Sequence, residues 1–141
     1  GVDRMFLSIM SAAYCEEQLE GGDSRVVLKL PPVLAPIKAC VMPLVKKDGL
    51  PEKAREILNS LKFDFKCSYD EKDSIGKRYR RQDAIGTPFC ITVDHQTIED
   101  NCVTIRYRDT MLQERVEIDK LHSIIADAVN MKNLFKKIVN Q

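Results

Sequence analysis

No stretch of this sequence approaches the roughly 20 consecutive apolar residues that a membrane-spanning helix requires. The opening, GVDRMFLSIM, has neither the basic leader nor the small-residue cleavage site of a secretory signal. Charge of one sign is missing too. Twenty-two Lys and Arg stand against 21 Asp and Glu, a net charge of +1, so attraction to a polyanion must come from local patches. The five cysteines are odd in number, are never spaced CxxC, and sit mostly in apolar runs where a thiol packs as a small hydrophobe. His95 and His122 each stand alone, without zinc-ligand spacing. There is no glycine-rich phosphate loop, internal repeat or low-complexity segment. These absences argue against a membrane protein, a disulfide scaffold, a structural zinc module and a redox or nucleotide-binding α/β domain. They place the chain in a reducing cytosol.

What is present alternates. Val2 to Leu19 has helical spacing, with Met5, Phe6, Leu7, Ile9, Met10, Ala13 and Tyr14 crowding most of the circumference. A helix apolar nearly all round is normally buried on more than one side, and nothing else here supplies that burial. The abrupt start on Gly suggests a chain cut from something longer. Gly21-Gly22 ends the helix, RVVLKL reads as a short strand, and the Pro-rich connector PPVLAP marks a boundary that divides residues 1–32 from 33–141. Beyond it come an apolar strand in IKACVMPLV, a helix opened by Pro51, an alternating strand FDFKCSY, and a helix from Ser74 to Ile85 stopped by Gly86. PFCITVD is a buried strand, CVTIRYR and LQERVEI form a hairpin about Asp109-Thr110, and Asp119 caps a closing helix. The order implies an α/β layer with a mixed sheet.

The densest feature is KRYRR, Lys77 to Arg81. On a helix at roughly 100° per residue, Ile75 and Tyr79 share one side, Lys77, Arg80 and Arg81 the opposite one, and Arg78 flanks them. Such a face is either solvated surface or a phosphate-binding face, and spacing alone is compatible with both. Only Asp83 offsets the cations within the helix, and three of the four are Arg, which forks onto phosphate and stacks on bases. Arg106 and Arg108, two apart on a strand, point to one sheet face and Tyr107 to the other. Together they suggest a nucleic-acid module.

The stretches SIGKRYRRQDAIGTPFCITVD, VTIRYRDTM and PPVLAPIKACVMPLVKKD resemble the C-terminal anticodon-binding domain of class II aminoacyl-tRNA synthetases, and look most like the homodimeric glycyl type. The resemblance runs end to end and is most specific in RRQDxIGTPFCxTVD. It implies a mixed sheet of roughly five strands flanked by about three helices, preceded by one N-terminal helix. GVDR looks like the end of the third catalytic motif, which makes Arg4 a remnant of the ATP site and Val2–Leu19 the catalytic-domain helix after it. The whole enzyme would join glycine to tRNA through glycyl-adenylate, as a homodimer, with ATP and Mg²⁺. This chain holds no catalytic residue, cofactor or metal of its own on that reading and is expected to be inactive alone.

Carried over by position, the resemblance makes Glu99 the acid that accepts from a cytosine amino group. Arg108 becomes a base-contacting donor, with Arg106 beside it. Glycine anticodons share two cytosines, which suits that pair. Arg78, Arg81 and Gln82 are expected at phosphates or flanking bases, and Asp109 and Thr110 at the hairpin turn. Arg80 and Lys77 add electrostatic background, and Asp83 positions neighbouring arginines. Where the family commonly has an acid between the two arginines, this chain has Tyr107. The alternatives are a threonyl- or prolyl-type anticodon domain, or a derived nucleic-acid-binding or dimerisation module.

Overall fold

The computed structural model describes residues 1–140. Seven strands form two sheets, a two-stranded hairpin of β1 (Tyr14–Gln18) and β2 (Ser24–Leu28), and a five-stranded sheet. The larger sheet contains β3 (Ala39–Pro43), β4 (Cys67–Tyr69), β5 (Phe89–Val93), β6 (Cys102–Tyr107) and β7 (Gln113–Glu117) in the order β4-β3-β5-β6-β7. β3 pairs parallel with β4 and β5, whereas β5–β6 and β6–β7 are antiparallel. The helices are α1 (Val2–Ala13), α2 (Leu50–Leu61), α3 (Ile75–Ile85), α4 (His95–Asp100), α5 (Leu121–Ala128) and α6 (Met131–Val139).

The sheet is covered on both faces because its central strands are apolar at successive positions, the pattern of strands buried on both sides. All five residues of β3 and of β5 are buried. One face (Val41, Ile91, Val103, Ile105) packs on Leu50, Ala54 and Ile57 of α2 and on Leu121 and Ile125 of α5. The other (Cys40, Met42, Cys90) packs under Ile75 and Tyr79 of α3. Burial pushes the Cys40 thiol up to about 11 and that of Cys90 higher still, so both stay protonated and serve as packing. α3 ends at Gly86 (φ +85°), where the thiol-lined layer meets β2: a Cβ there would lie 3.1 Å from the Leu28 carbonyl.

Four local expectations are corrected. The first helix stops at Ala13, because Tyr14–Gln18 pairs antiparallel with Ser24–Leu28 around Gly21 and Gly22, both at positive φ. A further helix, α4, follows β5, capped by a reciprocal pair in which Asp94 accepts from the Thr97 amide and Thr97 from the Asp94 amide. The closing helix is two, since Asn130 leaves helical geometry and its side chain accepts from the Lys132 amide to start α6. Asp119 lies in a 3₁₀ turn, and Lys120, not Asp119, occupies the position before α5, with no side-chain cap. On α1, only Ala13 is buried; Met5, Phe6 and Leu7 remain more than half exposed.

Candidate nucleic-acid interface

α3 separates its chemistry between two faces. Outward stand Lys77, Arg80 and Arg81, lining with Asp23 and Ser24 of the β1–β2 hairpin a cleft of about 560 Å³. Arg81 bridges the preceding loop: Nη1 donates to Asp73 (2.7 Å) and Nη2 to Asp70 and to the Lys72 carbonyl (both 2.8 Å). Arg81 holds the exposed Asp73 carboxyl below its usual range. Partial burial opposes the charge on Asp70, but the Lys72 amide and Arg81 outweigh it, so that carboxyl is lowered as well. Arg81 is therefore compensated from outside the helix, whereas Arg80 has Asp83 of the same helix at 3.6 Å.

Inward, α3 carries charge into the core. Arg78 is 3% exposed; it donates to the Pro43 carbonyl at the end of β3 and to the Lys72 and Asp73 carbonyls. The buried Gln82 accepts from the Thr87 hydroxyl at 2.7 Å. Asp83, fully buried, accepts a forked pair from Arg106 (2.8 and 3.0 Å) and a third bond from Arg25 Nη1 (3.1 Å), with Arg80 at 3.6 Å. The Arg106 guanidinium also lies over the Tyr79 ring at 4.7 Å. Burial works against its charge, and Asp83 outweighs burial, leaving its pKa raised.

The β6–β7 turn spans Arg108 to Leu112. Arg108 is 2% exposed, and its head donates to the Gly86 carbonyl (2.7 Å), the Leu30 carbonyl (2.5 Å) and the Asp109 carboxylate (2.9 Å). Asp109 and Thr110 are exposed at the tip. Glu99 is exposed on α4 at the opposite end of β6. Six residues of strand, about 20 Å, separate it from the turn. Beside it Arg115 bonds both Asp94 (3.0 Å) and Asp100 (3.1 Å).

The sequence placed Arg78, Arg106 and Arg108 on an RNA-facing surface. The structure turns all three inward, because each guanidinium finds carbonyl or carboxylate acceptors inside the fold. Gln82 is likewise committed internally, while Glu99, Arg81, Asp109 and Thr110 are exposed. Of the expected sheet-face arrangement, Arg106 faces α3 and Tyr107 packs edge-on against Phe89 on the other side, whereas Arg108 lies past the end of β6, in the turn. Asp83 does position arginines. Arg4 is exposed on the first turn of α1. Arg25 and Arg115 carry no signal in the sequence. Arg25 sits on the separate β1–β2 hairpin, opposite Glu17 and with its buried partner Asp83 58 residues away, and Arg115 acts across the register of β6 and β7.

The profile of the anticodon binding domain matches residues 38–128. The chain is 50% identical over 135 residues to a glycine–tRNA ligase of Borrelia hermsii and 54% identical over 129 residues to one of Clostridium tetani. These alignments cover 95% and 92% of this chain but only 30% and 27% of the relatives. Among solved structures, the RNA binding domain of threonyl-tRNA synthetase from Cryptosporidium parvum superposes with a TM-score of 0.64. It is 26% identical and covers 71% of this chain, with 25% of that chain matched. Profile, identity and superposed fold agree, and the chain belongs to the anticodon binding domain family.

Proposed function

We propose that this chain recognises the anticodon of a glycine tRNA, as the C-terminal part of a glycine–tRNA ligase. The observation that carries the reading is the 50–54% identity to glycine–tRNA ligases over 89% or more of the chain, against 26% to the threonyl relative. The geometry supports a division of labour. Lys77, Arg80 and Arg81 face solvent and supply sequence-independent attraction to phosphates. Glu99 is an exposed acceptor for a cytosine amino group, and Asp109 and Thr110 are polar groups at the turn. Arg78, Arg106, Arg108 and Gln82 act by shaping the surface.

The whole protein would couple ATP cleavage to glycylation of the tRNA 3′ end, as a homodimer in the cytoplasm. Five free cysteines accord with a reducing compartment, and no helix among the described residues is long and apolar enough to cross a membrane. Among the described residues no three His, Cys, Asp or Glu side chains are placed to hold a metal ion. Arg4 by itself does not make an ATP site. On this reading ATP and Mg²⁺ belong to the whole enzyme, and Arg4 is a remnant of its ATP site.

The test is a titration with two labelled RNA hairpins, one with a glycine anticodon loop and one with its two shared cytosines replaced, at low and moderate salt. A preference for the first that survives moderate salt is expected. Equal, salt-sensitive binding of both would overturn the reading.

A further inference from the structure

The β6–β7 turn is gripped by buried guanidinium groups from two directions. Arg25, on β2, sends Nη1 to the Arg108 carbonyl (2.7 Å) and Nη2 to the Asp109 carbonyl (3.3 Å). Arg108 sends its own head the other way, to Gly86 and Leu30. The tip has little apolar anchorage of its own, with Leu112 66% exposed and Met111 at φ +63°. Its place is set by these bonds and by the backbone bonds of Met111 to Tyr107 and of Arg108 to Pro88.

A guanidinium can hold two carbonyls only if its plane is fixed. Glu17 and Asp83 do this from opposite sides, Glu17 taking Nε at 2.7 Å and Asp83 taking Nη1 at 3.1 Å. The Arg25 side chain is fully buried among them. Glu17, Arg25 and Leu30 all lie upstream of residue 38, where the family match begins.

We propose that Arg25 is the positioning residue for the β6–β7 turn, oriented by Glu17 and Asp83, so that the RNA-discriminating unit begins at the β1–β2 hairpin. The proposal rests on the anticodon reading above. Phosphate attraction needs only exposed charge, whereas discrimination between bases needs groups held in register. Releasing the clamp removes the second and spares the first. Lysine keeps the charge but cannot fork, so Arg25→Lys isolates the geometry.

The experiment compares the 141-residue chain with Arg25→Lys and with the milder Glu17→Gln, which removes the charge on the partly exposed partner. Each is titrated with the two hairpins and followed by amide hydrogen exchange. The expected result for Arg25→Lys is a fall of about tenfold in the preference for the glycine hairpin, the scale of one base contact. Affinity for the altered hairpin should stay within about twofold, and exchange should accelerate in 107–112 but not in α2. Glu17→Gln should move in the same direction by less. Equal losses for both hairpins with faster exchange throughout would mean a merely structural role and overturn the proposal. So would unchanged exchange in 107–112. If the unaltered chain prefers neither hairpin, the anticodon reading fails. The positioning claim is then decided by exchange alone, confined acceleration supporting it and no acceleration ending it.

Discussion

Asp83 and Arg106 form a forked ion pair inside the protein, 2.8 and 3.0 Å across its two arms, with neither side chain more than 3% exposed. That carboxylate also accepts from Arg25, whose other carboxylate partner is Glu17, so Asp83 is shared by two buried cations. Removing one member of such a group costs far more than the group contributes relative to an apolar replacement, because the remaining charges stay in a medium that solvates them poorly. Asp83→Ala should therefore destabilise the chain by about 3–5 kcal/mol, and Asp83→Asn by less, since an amide oxygen still accepts. Urea unfolding of the two variants decides this; a change for alanine within about 0.5 kcal/mol of zero would mean that water replaces the carboxylate.

At Gly86 the backbone itself is the constraint. The residue sits at φ +85°, and any Cβ would approach the Leu28 carbonyl to 3.1 Å. Gly86→Ala should cost at least about 1–2 kcal/mol from the left-handed conformation, and more if β2 must retreat. The denaturation midpoint should fall with an unchanged slope, since the surface exposed on unfolding is the same. A midpoint equal to that of the unaltered chain would show that α3 can end differently.

Gly86 is also where the fold is most legible in the sequence. The helix Ile75–Ile85, its glycine stop and the strand after it are written in local period and turn chemistry, and the structure has them. Tyr14–Gln18 is not legible as a strand because YCEEQ has no alternating apolar period and reads as the continuation of the helix before it. Its strand form comes from pairing with Ser24–Leu28, and the only local sign is the Gly-Gly turn between them. The side chains of KRYRR are legible as a basic cluster, but Arg78 and Arg81 differ by what lies opposite them. Arg78 meets carbonyls at the end of β3, and Arg81 meets loop carboxylates at the surface. Arg108 ends on Leu30, 78 residues away. Destinations at such separations depend on how the layers stack, and one-dimensional spacing does not encode that.

Arg115 should give the protein a measurable pH dependence. It holds the exposed Asp100 carboxyl below its ordinary value; at Asp94 partial burial opposes the charge, and Arg115 and the Thr97 groups outweigh it. A depressed folded-state pKa means stabilisation that is present above the unfolded value, about 3.9, and lost as pH falls through the folded one. Arg115→Gln should thus melt below the unaltered chain at pH 7, and the gap should narrow below about pH 4 as both carboxyls protonate. A gap independent of pH would assign the effect to packing of the arginine stem.

The outer face of α3 should contribute attraction without selectivity. Lys77 and Arg80 stand on that face, so their replacement disturbs little of the fold, although Arg80 lies 3.6 Å from Asp83. Lys77→Gln with Arg80→Gln should weaken both RNA hairpins by the same factor. The slope of log affinity against log salt should fall by about one for each phosphate that the side chains no longer neutralise. If the pair instead weakened only the glycine hairpin, α3 would be reading bases.

Glu99 makes the opposite prediction. It is exposed on α4, between Asp94 and Asp100, whose carboxylates Arg115 already occupies, so it is the carboxylate of this rim without an internal partner among the described residues. An exposed side chain with no structural bond should be replaceable within about 0.5 kcal/mol of stability. Glu99→Ala should therefore leave the melting temperature unchanged. Its effect should appear in discrimination, since a carboxylate accepting from a cytosine amino group contributes about 1–3 kcal/mol against the wrong base. The glycine hairpin should lose roughly that much while the altered hairpin binds as before, or slightly better once a negative charge facing phosphates is gone. Parallel gains for both hairpins would mean that Glu99 acts only as a repulsive charge, and the cytosine would then have to be read by groups at the other end of β6, about 20 Å away at Asp109 and Thr110.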